Sequence, residues 1–465
     1  MFLEEWIHNR IRQEAKENPE CRQYLAKGDL KNITSKVIED FQLFKLRKTL
    51  NYACQESVFY RELFREHGIN PSDVKCLADL PKLPFTTPAN LAEVPYKILS
   101  VSLTRVGRVF TRVTSGTSGQ PKKVFFTGND LEIITDGMAA IMNTALSSAG
   151  LASRGCVVQI FLANGTSMSQ VSLVARGVEK MGGLPIAGDI TADVDEQIEA
   201  IERAKPAMLM GSASRIYRIT QEARQCHNLA NIGVNIIFIT SEYLPLSMRR
   251  NLEAFWEAEV YHHYGMTEAG LAMAIECQAH DGFHFNEADF LFEVVDPATG
   301  EVLKEGEEGE LVFTTLSREG MPLIRYRTGD ISRLVRDPCK CGAFTLGRIG
   351  TITKRVSSVA EIGEGKQIYP ALFDDVLCAF PNLTDYRVHL AKDGDKDCLI
   401  CKVELTKKEA KLEGKLAQAI LNIAPIRESV EAGWLTRPRV EFAEPGEIKR
   451  AGRVKQRIVD NRYPA

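Results

Sequence analysis

Apolar residues recur at helical spacing at Leu43, Leu46, Leu50 and Ala53, inside a charged stretch rich in helix formers over residues 1–66. That spacing predicts an amphipathic helix. Pro71, Pro81, Pro84 and Pro88 then break the chain into a looped approach. From Arg105 to Thr127, apolar β-formers flank a polar, glycine-containing turn, which predicts strand, loop, strand. Residues 128–240 alternate helical stretches with short apolar runs, Cys156–Leu162, Ala207–Met210 and Ile236–Ile239. Such alternation is the mark of buried strands in α/β layers. Residues 290–335 read as mainly β, with turns at Asp296-Pro297 and Thr299-Gly300. After about residue 355 the composition shifts. A helix over Ala371–Phe380, strands near Val388–Leu390 and Cys398–Val403, and a Lys/Ala-rich helix at 406–423 form a unit the size of a small α+β domain. The expected class is therefore α/β, with a large layered domain over 1–355 and a small α+β domain over 356–465.

Composition narrows the functional classes. The 465 residues are 44% hydrophobic and 26% charged, which excludes disorder for most of the chain. Lys and Arg total 58 against 61 acids, and a net charge of −3 gives no ground for nucleic-acid binding. No apolar run approaches the roughly 18 residues of a membrane helix. The start, Met1-Phe2-Leu3-Glu4-Glu5, has acids where a signal peptide carries bases, so a cytoplasmic location is expected. Eleven cysteines in that compartment read as thiols or metal ligands rather than a disulfide framework.

Two constellations carry chemistry. Thr114-Ser115-Gly116-Thr117-Ser118-Gly119-Gln120-Pro121-Lys122 sets hydroxyls around two glycines and ends in a lysine. Glycines let backbone N–H groups approach an oxyanion closely, so the run suits a polyphosphate. It is no Walker A loop, because Gly-Lys-Ser/Thr is missing and a strand-like Val124-Phe125-Phe126-Thr127 follows. Taken alone, it fits a Ser/Gly hairpin without a ligand equally well. The second constellation pairs Cys277 and His280 with Cys339 and Cys341. Thiolates and an imidazole in close pairs match a closed, structural tetrahedral zinc site, against the alternative of reduced loop thiols.

The loop does not stand alone. Tyr264-Gly265-Met266-Thr267-Glu268 and Tyr326-Arg327-Thr328-Gly329-Asp330 follow it in order. Together the three runs resemble the signature motifs of adenylate-forming enzymes, the group of acyl-CoA synthetases and adenylation domains. Asn51–Arg61, Leu77–Thr87, Met321–Arg327 and Ile368-Tyr369-Pro370 resemble the phenylacetate–CoA ligases within that group. The resemblance runs from about residue 43 to the end and leaves residues 1–42 as an extra helical segment without a functional reading.

It implies an AMP-forming acid–CoA ligase for an aryl or arylacetic acid, using ATP, Mg²⁺ and CoA, with a mobile C-terminal domain. The acid attacks the α-phosphorus, pyrophosphate leaves, and a thiol displaces AMP from the acyl-adenylate. The enzyme's task is to orient two anions and stabilise phosphate charge. By this resemblance Thr114, Ser115, Gly116, Thr117, Ser118, Gly119 and Lys122 would hold the departing phosphates. Tyr264 and Gly265 would lie against adenine, Thr267 on the α-phosphate, Glu268 on Mg²⁺ and Asp330 on the ribose hydroxyls. Glu268, as a turn carboxylate, is expected to be exposed. Ser241 and Glu242 would sit beside adenine and the acyl pocket. Arg355 fits the interdomain hinge, where Ser357 replaces the usual Asp. Lys455 is the expected adenylation cation, with Arg453 and Lys449 as rivals. Cys339-Lys340-Cys341-Gly342 resembles an element found where that family carries zinc, and His284 rivals His280 as fourth ligand. A carrier-protein thiol is the alternative acceptor, and a non-catalytic nucleotide-binding protein the remote alternative. The partners are otherwise a small carboxylic acid, with no nucleic acid and no membrane, and a homodimer is allowed for.

Overall fold

The computed structural model describes residues 1–113, 121–162, 170–380, 382–407, 412–444, 446–448 and 457–462. It is an α/β protein whose chain forms two compact units. One holds Met1–Val158, Ala163–Ile186 and Tyr261–Thr351, the other Gln159–Leu162, Ala187–Val260 and Ile352–Ala465.

In the first unit, helix Phe2–Glu17 buries Leu3, Ile7, Ile11 and Ala15, a stripe at spacing four. Helix Ser35–Glu56 buries Leu43, Leu46, Leu50 and Ala53 as the periodicity predicts, and the Thr34 hydroxyl caps it by accepting from the Val37 N–H. The proline-broken stretch after it forms short helices, among them Pro88–Glu93 with proline in its first turn and a Thr87/Asn90 capping box. Strands Val106–Val113 and Pro121–Thr127 pair antiparallel on either side of the expected loop. Thr127 and Asp130 then cap helix Gly128–Ser148 reciprocally. Further on, strands Phe290–Val295, Gly309–Thr315 and Tyr326–Ser332 form an antiparallel array, as read from the 290–335 pattern.

Two segments singled out in the sequence, Leu77–Thr87 and Met321–Arg327, prove to be one structure. The Thr86 N–H donates to the Arg325 carbonyl at 3.1 Å, and the Arg327 N–H donates to the Thr86 carbonyl at 2.9 Å. Arg325 is buried, pairs with Glu293 at 3.0 Å and donates to the carbonyls of Pro81 and Leu83 at 3.0 and 2.7 Å. Its guanidinium stacks 4.1 Å from the centre of the Phe85 ring. A rigid planar fork meets an acid, two carbonyls and an aromatic face, which lysine could not do.

In the second unit, strands Met208–Ser212 and Ile236–Thr240 pair in parallel and pack against helices Val194–Ala204, Ala213–Ala223 and Leu246–Trp256. Its C-terminal sheet has hairpin Leu383–Asp393 and Lys396–Leu405 at the centre, flanked by Arg439–Ala443 and Ile458–Asp460. Helices Pro370–Leu377, Leu412–Leu421 and Ala424–Glu431 accompany it. The predicted helix at 406–423 therefore starts later among the described residues. The strand runs to Leu405, and Thr406 continues it by donating its N–H to the Asn382 carbonyl at 2.8 Å. Arg457 sits 3.1 Å from Asp374 and over the Tyr386 ring, whose hydroxyl donates to Asp374 at 2.7 Å.

Candidate active site

The phosphate-loop residues Thr114, Ser115, Gly116, Thr117, Ser118 and Gly119 lie outside the described residues, and so do Lys449, Arg453 and Lys455. Lys122, at the start of the outgoing strand, is described. Its ammonium lies 2.7 Å from Glu268 Oε1 and 3.4 Å from the Tyr326 hydroxyl. The Tyr326 hydroxyl donates to the same Glu268 oxygen at 3.3 Å. Tyr264 donates its hydroxyl to Asp330 Oδ2 at 2.8 Å. The two motifs read separately in the sequence, 264–268 and 326–330, are thus laced together at both ends. The Tyr264–Asp330 bond forms one lace, and Glu268 with Tyr326 forms the other.

The backbone explains why these residues stand where they do. Strand Glu259–Tyr264 ends at Gly265, where a Cβ would lie 1.9 Å from the Leu271 carbonyl oxygen, so no other residue fits. The chain then turns, with the Gly270 and Leu271 N–H groups donating to the Met266 carbonyl. Thr267 is buried and its hydroxyl accepts from Gln170 Nε2 at 3.3 Å. Asp330 is also buried, and its N–H donates to Thr328 Oγ1 at 2.9 Å. Glu268 is not an exposed turn carboxylate: its side chain is 13% exposed and that of Lys122 14%. The reason is the ion pair itself, which draws both side chains inward. A lysine ammonium on the Glu268 carboxylate is also a stand-in for a cation, and it establishes that the position accepts positive charge. One carboxylate with a hydroxyl beside it suits Mg²⁺, which takes few protein ligands and keeps water and phosphate oxygens.

In the second unit, Ser241 follows strand Ile236–Thr240 with φ +73°, a conformation costly for a residue with a side chain. Glu242 accepts from the Ser214 N–H at 2.8 Å and the Ser214 hydroxyl at 3.0 Å, at the start of helix Ala213–Ala223. Arg355 is half-buried and its N–H donates to Ser358 Oγ at 3.2 Å. Sequence reasoning missed Tyr326, Gln170 and Ser214 as partners of site residues. Tyr326 stood inside a quoted motif, while Gln170 and Ser214 carried no signal in the chain.

The cysteine cluster assembles from two neighbouring strands and one loop. Cys277 follows strand Ala274–Glu276, and His284 is central in the adjoining Phe283–Phe285. Cys339 and Cys341 come from a turn closed by the Gly342 N–H on the Cys339 carbonyl at 3.0 Å, with Gly342 at φ +87°. The ligand atoms of Cys277, His284, Cys339 and Cys341 all lie within 4.8 Å of one another. Of the two rival histidines, His284 joins the group; His280, at φ +49°, turns to Glu276 Oε2 at 3.3 Å. Tetrahedral zinc with ordinary bond lengths places two sulfurs about 3.8 Å apart and a sulfur and nitrogen about 3.6 Å apart. The observed Cys277–Cys339 Sγ separation is 3.6 Å and Cys341 Sγ to His284 Nε2 is 3.5 Å. Burial pushes the Cys277 thiol up and the His284 imidazole down to about 4. None of the eleven cysteines is in a disulfide.

The extra N-terminal segment grips this loop. Glu4 Oε1 accepts from the N–H groups of Phe344 and Thr345 at 2.9 and 2.8 Å and from the Thr345 hydroxyl at 2.7 Å. His8 Nε2 lies 2.9 Å from the Thr345 hydroxyl oxygen. Residues 1–42 are thus part of the first unit's packing. No helix among the described residues is long and apolar enough to cross a membrane.

The AMP-binding enzyme family model matches residues 109–317, and the AMP-binding enzyme C-terminal domain model matches residues 365–462. The chain is 32% identical over 449 residues to the phenylacetate–coenzyme A ligase of Aromatoleum evansii, covering 94% of this chain and 98% of that one. It is 31% identical to the enzyme of the same name from Thermus thermophilus, over 81% of this chain and 84% of that one. A crystal structure of 2-hydroxyisobutyryl-CoA ligase in the postadenylation state, in complex with R3-HIB-AMP, shares the fold, with TM-score 0.77, 23% identity and coverage of 92% and 90%. The three ordered motifs, the lacing of two of them and a relative aligned across nearly the whole chain place this protein in the phenylacetate–CoA ligase family of AMP-forming acid–thiol ligases.

Proposed function

We propose that the chain activates an aryl or arylacetic acid of the phenylacetate type with ATP and transfers it to CoA. The observation that carries this is the double lacing of the 264–268 and 326–330 motifs, which holds two acids, the buried Asp330 and the partly buried Glu268, in fixed places. Asp330, kept in place by Tyr264, binds the ribose hydroxyls, and the Tyr264 ring is thereby oriented beside adenine. Thr267 donates to the α-phosphate. Residues 114–119 and Lys122 bind the departing β- and γ-phosphates, and Lys122 must leave Glu268 to do so. Glu268 would hold Mg²⁺, which would offset the charge that builds on the leaving pyrophosphate. Ser241 and Glu242 border the acid and adenine.

Lys455 supplies the cation between the acid and the α-phosphate, and Arg355 belongs to a hinge about which residues 356–465 move as a domain. Hinges absorb backbone rotation and tolerate Ser357 in place of an acid. Cys277, His284, Cys339 and Cys341 bind one structural zinc. The compartment is the cytoplasm. A carrier-protein thiol is the alternative acceptor, and a homodimer is allowed for. An ATP–pyrophosphate exchange screen across aryl, arylacetic and fatty acids tests the reading. Arylacetic or aryl acids should drive the fastest exchange, and preference for a long-chain fatty acid would refute the substrate class.

A further inference from the structure

The turn that carries Glu268 rests on a buried cation outside the three motifs. Arg318 is 8% exposed. Its Nη2 donates to the carbonyl of Ala269, the residue after Glu268, at 2.6 Å. Its guanidinium lies 4.4 Å from the centre of the Phe126 ring, on the strand leaving the phosphate loop. The turn is fitted to it: at Gly270, with φ +89°, a Cβ would come within 3.2 Å of Arg318 Nη2 and 2.5 Å of Ile134 Cδ1.

Arg318 makes no direct ion pair among the described residues. Of the nearby acids, Asp130 is engaged elsewhere through both oxygens and Asp289 through one. Asp130 accepts from the N–H groups of Thr127, Glu319 and Gly320 at 2.9, 2.7 and 2.9 Å. Asp289 Oδ2 accepts from Arg10 at 2.7 Å and Asn286 at 2.8 Å. Arg318 Nη1, Asn286 Oδ1 and Asp289 Oδ1 are buried without a partner among the described residues. All three residues line one cleft of about 20 Å³, together with Asp130 and Ala269. That is room for about one water, which could accept from Nη1 and donate to both oxygens. A buried guanidinium with no carboxylate against it costs stability, and an apolar side chain of similar volume would serve packing better. Its position is accounted for by what it holds.

We propose that Arg318 is a positioning residue for Glu268: it ties the turn bearing the metal-binding carboxylate to the strand that leaves the phosphate loop. This rests on Glu268 being the Mg²⁺ ligand.

The test compares full-length Arg318→Gln, Arg318→Lys and Glu268→Gln with the parent. Thermal melting and the Mg²⁺ dependence of calorimetric binding of α,β-methylene-ATP are measured. The Mg²⁺ needed for half-maximal tight binding should rise about 10- to 100-fold in Arg318→Gln, the usual effect of removing a group that orients a metal ligand. Arg318→Lys, which keeps the charge and one donor, should recover part of it. An Arg318→Gln protein that folds and keeps the parental Mg²⁺ requirement overturns the proposal. Should Arg318→Gln fail to fold, Arg318→Lys decides: a raised requirement supports the proposal, and a parental one overturns it. Failure of both to fold makes Arg318 a core residue and overturns it too. A Glu268→Gln protein with an unchanged Mg²⁺ requirement removes the underlying reading of Glu268, and the Arg318 proposal falls with it.

Discussion

Replacing Cys341 by Ser removes one of four proposed zinc ligands at the half-buried rim of the site, where a hydroxyl is tolerated sterically. Cys277 and His284 are each 0% exposed and Cys339 4%, so the remaining ligands stay buried in a site that has lost its cation. The turn from Cys339 to Ala343 has few backbone bonds of its own, the Gly342–Cys339 bond at 3.0 Å and the Cys339–Ala343 bond at 3.2 Å. The proposed zinc would therefore be its main tether. Beyond it, Phe344 and Thr345 are the residues that Glu4 grips, so freeing the turn should also free helix Phe2–Glu17. A site held at about a thousand times its dissociation constant stabilises the folded state by about 4 kcal/mol. For a unit of this size that corresponds to about 10 °C in melting temperature. The assays are elemental analysis of protein purified without chelator, melting with and without chelator, and hydrogen exchange over residues 2–17. One zinc per chain, a drop of that order in Cys341→Ser, and faster exchange in the N-terminal helix are expected. A zinc-free parent protein, or a variant that melts with the parent, refutes the reasoning.

Glu268→Gln should lower acid-dependent pyrophosphate exchange about a hundredfold or more. It should also cost about 1.5–3 kcal/mol of stability, since it removes a charge-assisted bond from a largely buried pair; unchanged exchange in urea-stable protein removes Glu268 from the mechanism. Lys455→Ala should slow acyl-adenylate formation about a hundredfold while leaving transfer from synthetic acyl-AMP to CoA intact, and normal adenylation would reassign the cation to Arg453 or Lys449. Burial holds His263 at about 3, below the ordinary 6.5. The unfolded chain therefore takes up a proton below pH 6.5 that the folded one refuses, and stability falls as pH drops through that window. Between pH 7 and 5 this amounts to about 2 kcal/mol. His263→Gln should flatten the urea-measured pH profile by about that much, and parallel profiles would contradict it.

The legibility of this protein in its sequence varied with how local each cause was. Helix Ser35–Glu56 and the 106–127 hairpin follow from periodicity and turn chemistry within one window of chain. The three motifs were readable because their residue types and order are distinctive. Their lacing was not, because Tyr264–Asp330 and Glu268–Tyr326 join positions far apart in the chain. For the same reason the exposure of Glu268 was misjudged: a turn carboxylate is usually solvated, and here Lys122 draws it in. The choice between His280 and His284 depends on backbone direction after Cys277, and spacing carries no information on it. Residues 1–42 read as a charged helix with no task. Their packing combines an apolar stripe, Leu3, Ile7, Ile11 and Ala15, with individual polar contacts, Glu4 with Thr345 and Arg10 with Asp289, and only the polar contacts leave no pattern.

The central claim is that this chain joins a carboxylic acid to CoA through an acyl-adenylate. The measurement that tests it most directly is product identification by mass spectrometry after incubation with phenylacetate, ATP, Mg²⁺ and CoA. AMP, pyrophosphate and phenylacetyl-CoA in equal amounts, with phenylacetyl-AMP accumulating when CoA is withheld, is the expected result. Release of ADP and phosphate, or AMP formation that does not depend on an acid, would contradict it.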